Sequence, residues 1–211
     1  YHRCRRLRRL HGGGRRVTRA QSRVVGVALW LGLTVVALGG LTAAVGSLMD
    51  SQAASADAAR LADEMDHALQ PVQTTGRHTG RLHFSGGHLD TVDRKLRILR
   101  NGSVVATRDV DALVFEAEDR RVAFLAGAIL RGQSGGAWLE SDPPLTDSAR
   151  NDVLVVGAPV LDSDNRSVGG QGGVTVPLQT TVSHARTDLG RGSFAVAIET
   201  RTPGPFERFA R

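Results

Sequence analysis

Val24 to Met49 reads VVGVALWLGLTVVALGGLTAAVGSLM, 26 residues without a charge, an Asn, a Gln, a His or a Pro. As a helix rising 1.5 Å per residue it is roughly 39 Å long, and about 20 apolar residues suffice to cross a bilayer core. A buried helix of a soluble protein is usually shorter and keeps a polar face. The run therefore predicts a membrane-inserted helix over 24–49, and everything else in the chain is read from that constraint.

The net charge of +6 points at first to nucleic acid, but its distribution argues otherwise. Residues 1–20 hold eight of the 27 basic residues and no acid, so 19 basic groups face 21 acidic ones over residues 21–211. The basicity belongs to an Arg-rich leader, 1–20, and such a tail beside an apolar helix sets orientation; no nucleic-acid partner is expected. Cys4 is the single cysteine, which excludes a disulfide framework and a cysteine-based metal site. Neither Met49 nor Met65 precedes the apolar run, and Val17 is a candidate initiator; an N-terminal peptide from within 1–16 in native protein would sink that idea.

Arg15, Arg16, Arg19 and Arg23 flank the run on one side, Asp50 and Asp57 on the other. The positive-inside rule then puts the N-terminus in the cytoplasm and everything after Met49 outside. A cleaved secretory signal is the alternative, with Ala43-Ala44 or Gly46-Ser47 as small-residue cutting sites.

Arg19-Ala20-Gln21-Ser22-x-Val24-Val25-Gly26-Val27, followed by the long apolar helix, resembles the class III signal and N-terminal helix of archaeal type IV pilin-like proteins, the haloarchaeal ones especially. The resemblance implies that a prepilin peptidase cuts between Ala20 and Gln21 and leaves the helix on the mature protein. Arg19, Ala20, Gln21, Ser22 and Gly26 are the processing residues it implies. Two features depart from the pattern: Val25 stands where many pilins have Glu, and the mature part is less acidic than haloarchaeal proteins usually are. Physically, removing the leader deletes the charges that hold the N-terminus at the inner surface. The helix is then able to leave the bilayer wherever other helices cover it, with Arg23 snorkelling to the interface.

Gly32, Gly39 and Gly46 recur every seven residues, with Ala28, Val35 and Thr42 between them. A stripe of small residues lets helix backbones approach closely, so Ala28, Gly32, Gly39 and Gly46 form the expected helix-packing face. The other account is that glycine is simply common in membrane helices. Beyond Asp50 the pattern turns amphipathic: Ala58, Leu61, Ala62, Met65 and Leu69 keep helical spacing, with Asp57, Arg60, Asp63, Glu64 and Asp66 on other faces. Pro71 ends it, predicting one helix over 21–70 whose second half packs on the following domain.

From residue 71 to 211 the periodicity is that of strands. Gly86-Gly87 predicts a hairpin turn between 81–84 and 88–92, with Phe84 facing Leu89 and His83 facing Asp90. Asn101-Gly102 predicts a second, pairing Ile98 with Val105 and Leu99 with Val104. Further strands are expected at 112–118, 121–130, 138–140, 153–160, 174–182 and 193–200, with loops at 142–144 and 169–173 and a short tail opened by Pro203-Gly204-Pro205. No helix interrupts them, and short strands with Gly-rich turns argue for an antiparallel β-sandwich or β-roll.

Candidate chemistry is thin. His78, His83 and His88 alternate faces, and a surface pairing of His83 with Asp90 explains them better than a metal. Ser183-His184 with Asp188 has triad composition but no nucleophile turn. The run 169–173 lacks the Lys-Ser/Thr ending of a phosphate loop. The pair Glu118-Asp119 lies at a turn. Asp162-Ser163-Asp164-Asn165 alternates oxygen ligands as a Ca²⁺ loop does, without the turn Gly or closing Glu. Asn101 and Asn165 begin N-glycosylation sequons in expected turns on the outer side; unchanged peptide masses over both in native material would dispose of them. Trp138 is expected in the core.

The sequence thus predicts an α+β protein, a long N-terminal transmembrane helix followed by an antiparallel β-sandwich or β-roll domain. The function implied by the resemblance is that of a type IV pilin-like cell-surface glycoprotein, a filament subunit or minor pilin in a type IV pilus system. Its partners would be the membrane, the prepilin peptidase and other copies or pilin-like subunits. It would be single-pass with its β domain extracellular, not an enzyme, with neither cofactor nor metal. The alternative is a permanently anchored extracellular β domain of binding or structural role.

Overall fold

The computed structural model describes residues 18–69, 75–148, 150, 152–161, 166–183 and 185–211, and side chains of the first helix from residue 26 onward. The protein is α+β, a long apolar helix followed by antiparallel sheets. Helix α1 runs from Thr18 to Leu69 over 52 residues. The helical end expected at Pro71 lies outside the described residues, as do residues 1–17 of the leader and Cys4. By its contacts the chain divides into two units, Tyr1–Leu48 and Met49–Arg211.

Among the described residues of the second unit eleven strands follow: β1 (Gly76–Val92), β2 (Lys95–Arg100), β3 (Ser103–Asp109), β4 (Ala112–Ala117), β5 (Arg120–Leu125), β6 (Ala128–Gln133), β7 (Gly136–Ser141), β8 (Leu145–Ser148), β9 (Val153–Val156), β10 (Ser167–Val182) and β11 (Phe194–Ile198). A six-stranded sheet has the order β10-β1-β4-β5-β6-β7, a three-stranded sheet the order β11-β2-β3, and β8 pairs with β9. Helix α2 (Pro203–Phe209) closes the chain.

Alternation along β4 and β5 gives the six-stranded sheet two apolar faces. Leu113, Phe115, Val122 and Phe124 form one core with Leu82, Phe84 and Leu89 of β1 and with Ala54, Ala58, Leu61, Ala62, Met65 and Leu69 of α1. Phe84 and Phe115 meet there with ring centroids 5.1 Å apart, tilted by 53°. Ala112, Val114, Ala123 and Leu125 face the other way, onto Leu96 of β2, Val196 and Ile198 of β11 and Phe206 of α2. The second half of α1 and the three-stranded sheet thus cover opposite faces of one sheet, each removing apolar area from water.

Several sequence expectations are corrected. Gly86-Gly87 is not a hairpin turn: β1 continues through it, pairing Phe84 with Val174, Leu89 with Val168 and His83 with Thr175 of β10. The register shifts between Phe84 and Gly86, so the glycines mark a β-bulge. At Gly87, φ is +122° and a Cβ would lie 2.6 Å from the Glu116 carbonyl oxygen, so the close passage of β4 requires glycine. The run 169–173 is part of β10 and not a loop. Asn101-Gly102 does turn a hairpin, both residues having positive φ, and Leu99 pairs with Val104; Ile98 pairs with Ala106 instead of Val105 because the register shifts there. The single strand expected over 121–130 is two, β5 and β6, turned at Ala126-Gly127. Strand β8 and helix α2 were not expected.

Candidate functional site

Three places hold the features that bear on function. The first is the apolar part of α1. Leu29, Trp30, Val35, Val36, Leu41 and Met49 are all exposed, and beads of small residues separate them. A Cβ added at Gly26, Gly32, Gly39 or Gly46 would meet nothing within 4 Å. Ala28 is exposed with them, so the expected packing face lies bare. Thr34 and Thr42 return their hydroxyls to the helix, donating to the Leu31 and Leu38 carbonyls at 2.8 and 2.9 Å. Ser47 does the same toward the Ala44 carbonyl at 3.0 Å, so these three hydroxyls are satisfied locally. The segment is long and apolar enough to cross a membrane. Arg19, Ala20, Gln21 and Ser22 lie in the helix backbone ahead of it.

The second place is the seam between α1 and β1. In β1, the ladder to β4 begins only at His88, so the edge from Gly76 to Ser85 lacks that neighbour. Carboxylates from the helix fill the gap. Asp57, 3% exposed, accepts the Ser85 N–H at 2.6 Å and its hydroxyl at 3.2 Å. Glu64 accepts the His83 N–H at 2.6 Å, and its other oxygen lies 3.1 Å from His83 Nδ1. Asp66 accepts the Ser141 hydroxyl at 2.5 Å. Backbone donors at a sheet edge must find partners, and Asp57 and Glu64 supply them at β1 while screening the edge from other chains; the Asp66 bond instead ties α1 to Ser141 of β7. The expected pairing of His83 with Asp90 is corrected, because the partner of His83 comes from a different element.

The third place is a cavity of about 310 Å³ in the β domain. Four arginines line it: Arg94 between β1 and β2, Arg121 of β5, Arg166 before β10 and Arg201 after β11. Asp90 and Glu116 are the two carboxylates in the same wall. Backbone bonds fix the positions: the Arg94 N–H donates to Asp111 Oδ1 at 3.3 Å, and the Arg166 N–H donates to Thr91 Oγ1 at 2.8 Å. Glu116 Oε1 stands 3.3 Å from Arg121 Nε, opposite it across the β4–β5 ladder. That nitrogen is buried and, despite the short distance, lacks hydrogen-bond geometry to any acceptor among the described residues. Burial lowers the Arg121 pKa, Glu116 opposes the shift, and Arg201 and Arg94 push it further down.

The remaining sequence candidates are dispersed. His78 and His88 sit elsewhere on β1 from the Glu64–His83 pair, and no group of three or more His, Cys, Asp or Glu is placed to hold a metal among the described residues. His184 and residues 162–165, with the Ca²⁺ candidate and Asn165, lie outside the described residues. Asn101 is at the exposed β2–β3 turn, where its side-chain oxygen accepts the Ser193 N–H at 3.1 Å. Glu118 and Asp119 form the β4–β5 turn. Trp138 is not a core residue: it is 39% exposed, with the Arg131 guanidinium 5.5 Å from its ring centroid and its indole N–H donated to Glu140 at 3.2 Å.

The chain belongs to the family described as "Family of unknown function (DUF7289)", which matches residues 19–211 and so spans both the apolar helix and the β domain. No curated protein and no solved structure matches the chain.

Proposed function

We propose that this member of the family is a type IV pilin-like cell-surface protein that assembles through its N-terminal helix, as a filament subunit or a minor, membrane-resident pilin. One observation carries the reading: along a single helix, the side chains of the apolar segment are bare, whereas Ala54, Ala58, Leu61, Ala62, Met65 and Leu69 are built into the core of the β domain. A bare apolar helix needs lipid or other helices around it, and its Ala28–Gly32–Gly39–Gly46 stripe suits close helix contact. Positive charge before the helix supports a cytoplasmic N-terminus and an extracellular β domain. The role is assembly and not catalysis, and Asn101 is a glycosylation acceptor at an exposed turn.

The processing variant Arg19→Ala, Ala20→Leu tests the reading when expressed in a host with a prepilin peptidase. Wild type should migrate faster by the mass of the leader and the variant should keep it. Equal migration with the leader retained in both would remove the main support. A permanently anchored binding domain is the second reading, and the arginine-lined cavity is the observation that favours it.

A further inference from the structure

Val114, Ala123, Leu130 and Leu139 form one row across β4, β5, β6 and β7, and the core beneath the three-stranded sheet and α2 covers it. One step further along the same face the row reads Glu116, Arg121, Gly132 and Ala137. Residues two apart on a strand share a face, so the change from apolar to charged and small marks where that cover stops. A second cavity, of about 550 Å³, opens over the charged row between the β4–β5 turn, the β6–β7 turn and α2. We propose that it binds a neutral saccharide of one or two pyranose rings.

Three features select that class. The first is charge balance. The lining holds three carboxylates, Glu116, Glu118 and Asp119, and three guanidiniums, Arg120, Arg121 and Arg208. Glu116 stands 3.3 Å from Arg121 and Asp119 stands 3.2 Å from Arg120, so each pair largely cancels its own field. A charged ligand is drawn by one sign and repelled by the other, whereas hydroxyls both donate and accept and so use the two signs at once. The second feature is what the pairs leave over. A guanidinium has five N–H donors and a carboxylate about four acceptor sites, more than one ion pair consumes. Arg120 gives one further donor to Gln133 Oε1, and Arg208 gives one to the Ala137 carbonyl at 2.5 Å, which holds both groups in the wall. The third feature is the floor. Gly132 and Ala137 raise little above the sheet, which lets a flat ring approach the backbone closely. A Cβ at Gly132 would meet only ordinary contacts, the nearest at 3.6 Å, so the packing of the chain itself does not demand glycine there. The volume falls within the roughly 300–1,000 Å³ that small-ligand sites occupy.

The inference stands apart from the pilin-like reading, because it concerns only the β domain and holds for an anchored binding protein too. It is tested by calorimetric titration of the full chain in micelles of a polyoxyethylene detergent, which carries no sugar. The probes are maltose, cellobiose, lactose and N,N′-diacetylchitobiose, with glycine and inorganic phosphate as charged comparisons. Saturable binding of at least one disaccharide, with a dissociation constant of roughly 1 mM or tighter, is expected. Raising the salt to about 0.5 M should leave that affinity unchanged, since a neutral ligand has no field to screen. Gly132→Val, which lays methyl groups on the floor, should weaken binding roughly tenfold or more, as displacement of the ring requires. Glu118→Asn, which removes a carboxylate and suits the φ of 50° at that turn, should weaken it roughly threefold or more. Arg108→Gln on β3, outside the cavity, should leave it unchanged. No saturable heat with any of the four disaccharides, tighter binding of glycine or phosphate, or wild-type affinity in both Gly132→Val and Glu118→Asn with unaltered circular dichroism spectra would overturn the proposal.

Discussion

The buried carboxylate of Asp57 on α1 accepts both the backbone N–H and the hydroxyl of Ser85, at 2.6 and 3.2 Å, at the point where the β1–β10 register shifts. A bulge leaves one residue out of the ladder, and here the helix supplies the missing acceptor. Asp57→Ala should destabilise the β domain by about 2 kcal/mol, since a charged acceptor is lost and a donor is stranded. Ser85→Ala, which keeps the N–H bond, should cost about 1 kcal/mol or less. Thermal unfolding of both variants in detergent, followed by near-ultraviolet circular dichroism, checks the order; an Asp57→Ala protein as stable as wild type would contradict it.

At Gly80, β1 passes close against Ala68 of α1. A Cβ there would stand 2.5 Å from the Ala68 Cβ, so Gly80→Ala should force the helix and strand apart and cost about 1–3 kcal/mol. Ala68→Gly in the same chain should recover much of that loss, because it removes the clashing atom. A double-mutant cycle measures the coupling, and strictly additive effects would refute the contact.

His67 near the end of α1 has a raised pKa, first because its Nδ1 bonds the Asp63 carbonyl and then because the Asp63 carboxylate is close. Folding therefore favours the protonated ring. That contribution is present in full below the unfolded value of about 6.5 and is lost as pH rises through the higher folded value. Nuclear magnetic resonance titration should place His67 above the unfolded value. Asp63→Asn should reduce the elevation without abolishing it, since the carbonyl remains; a titration at or below the unfolded value in wild type would contradict the assignment.

How legible this was depends on whether each signal was local. Asn101-Gly102 could be read as a turn because both residues adopt positive φ readily. Ala126-Gly127 makes an equivalent turn but hides inside an apolar run, where alanine at φ 51° carries no signal. Gly86-Gly87 looked like a turn and is a bulge, since two glycines serve a close strand approach as well as a reversal. The amphipathic half of α1 is plain from its spacing, yet the burial of Asp57 leaves no local signal because Ser85, its partner, is 28 residues away. Arginines at 94, 121, 166 and 201 leave no motif, and only the topology gathers them.

The glycine stripe makes its own prediction. Gly39 has nothing within 4 Å of an added Cβ in the single chain, so Gly39→Leu should fold normally. In the membrane it should weaken helix association, read as reduced crosslinking between copies. Unchanged crosslinking would leave those glycines as ordinary residues of a membrane helix.

The central claim is that α1 is retained after the Arg-rich leader is removed, and intact-mass analysis of the native protein, with sequencing of its N-terminal peptide, tests it most directly. The account predicts a mature chain that begins at Gln21 and keeps Val24 to Met49. A mature N-terminus after Ala44 or Ser47, or a chain that still carries Arg15 and Arg16, would contradict it.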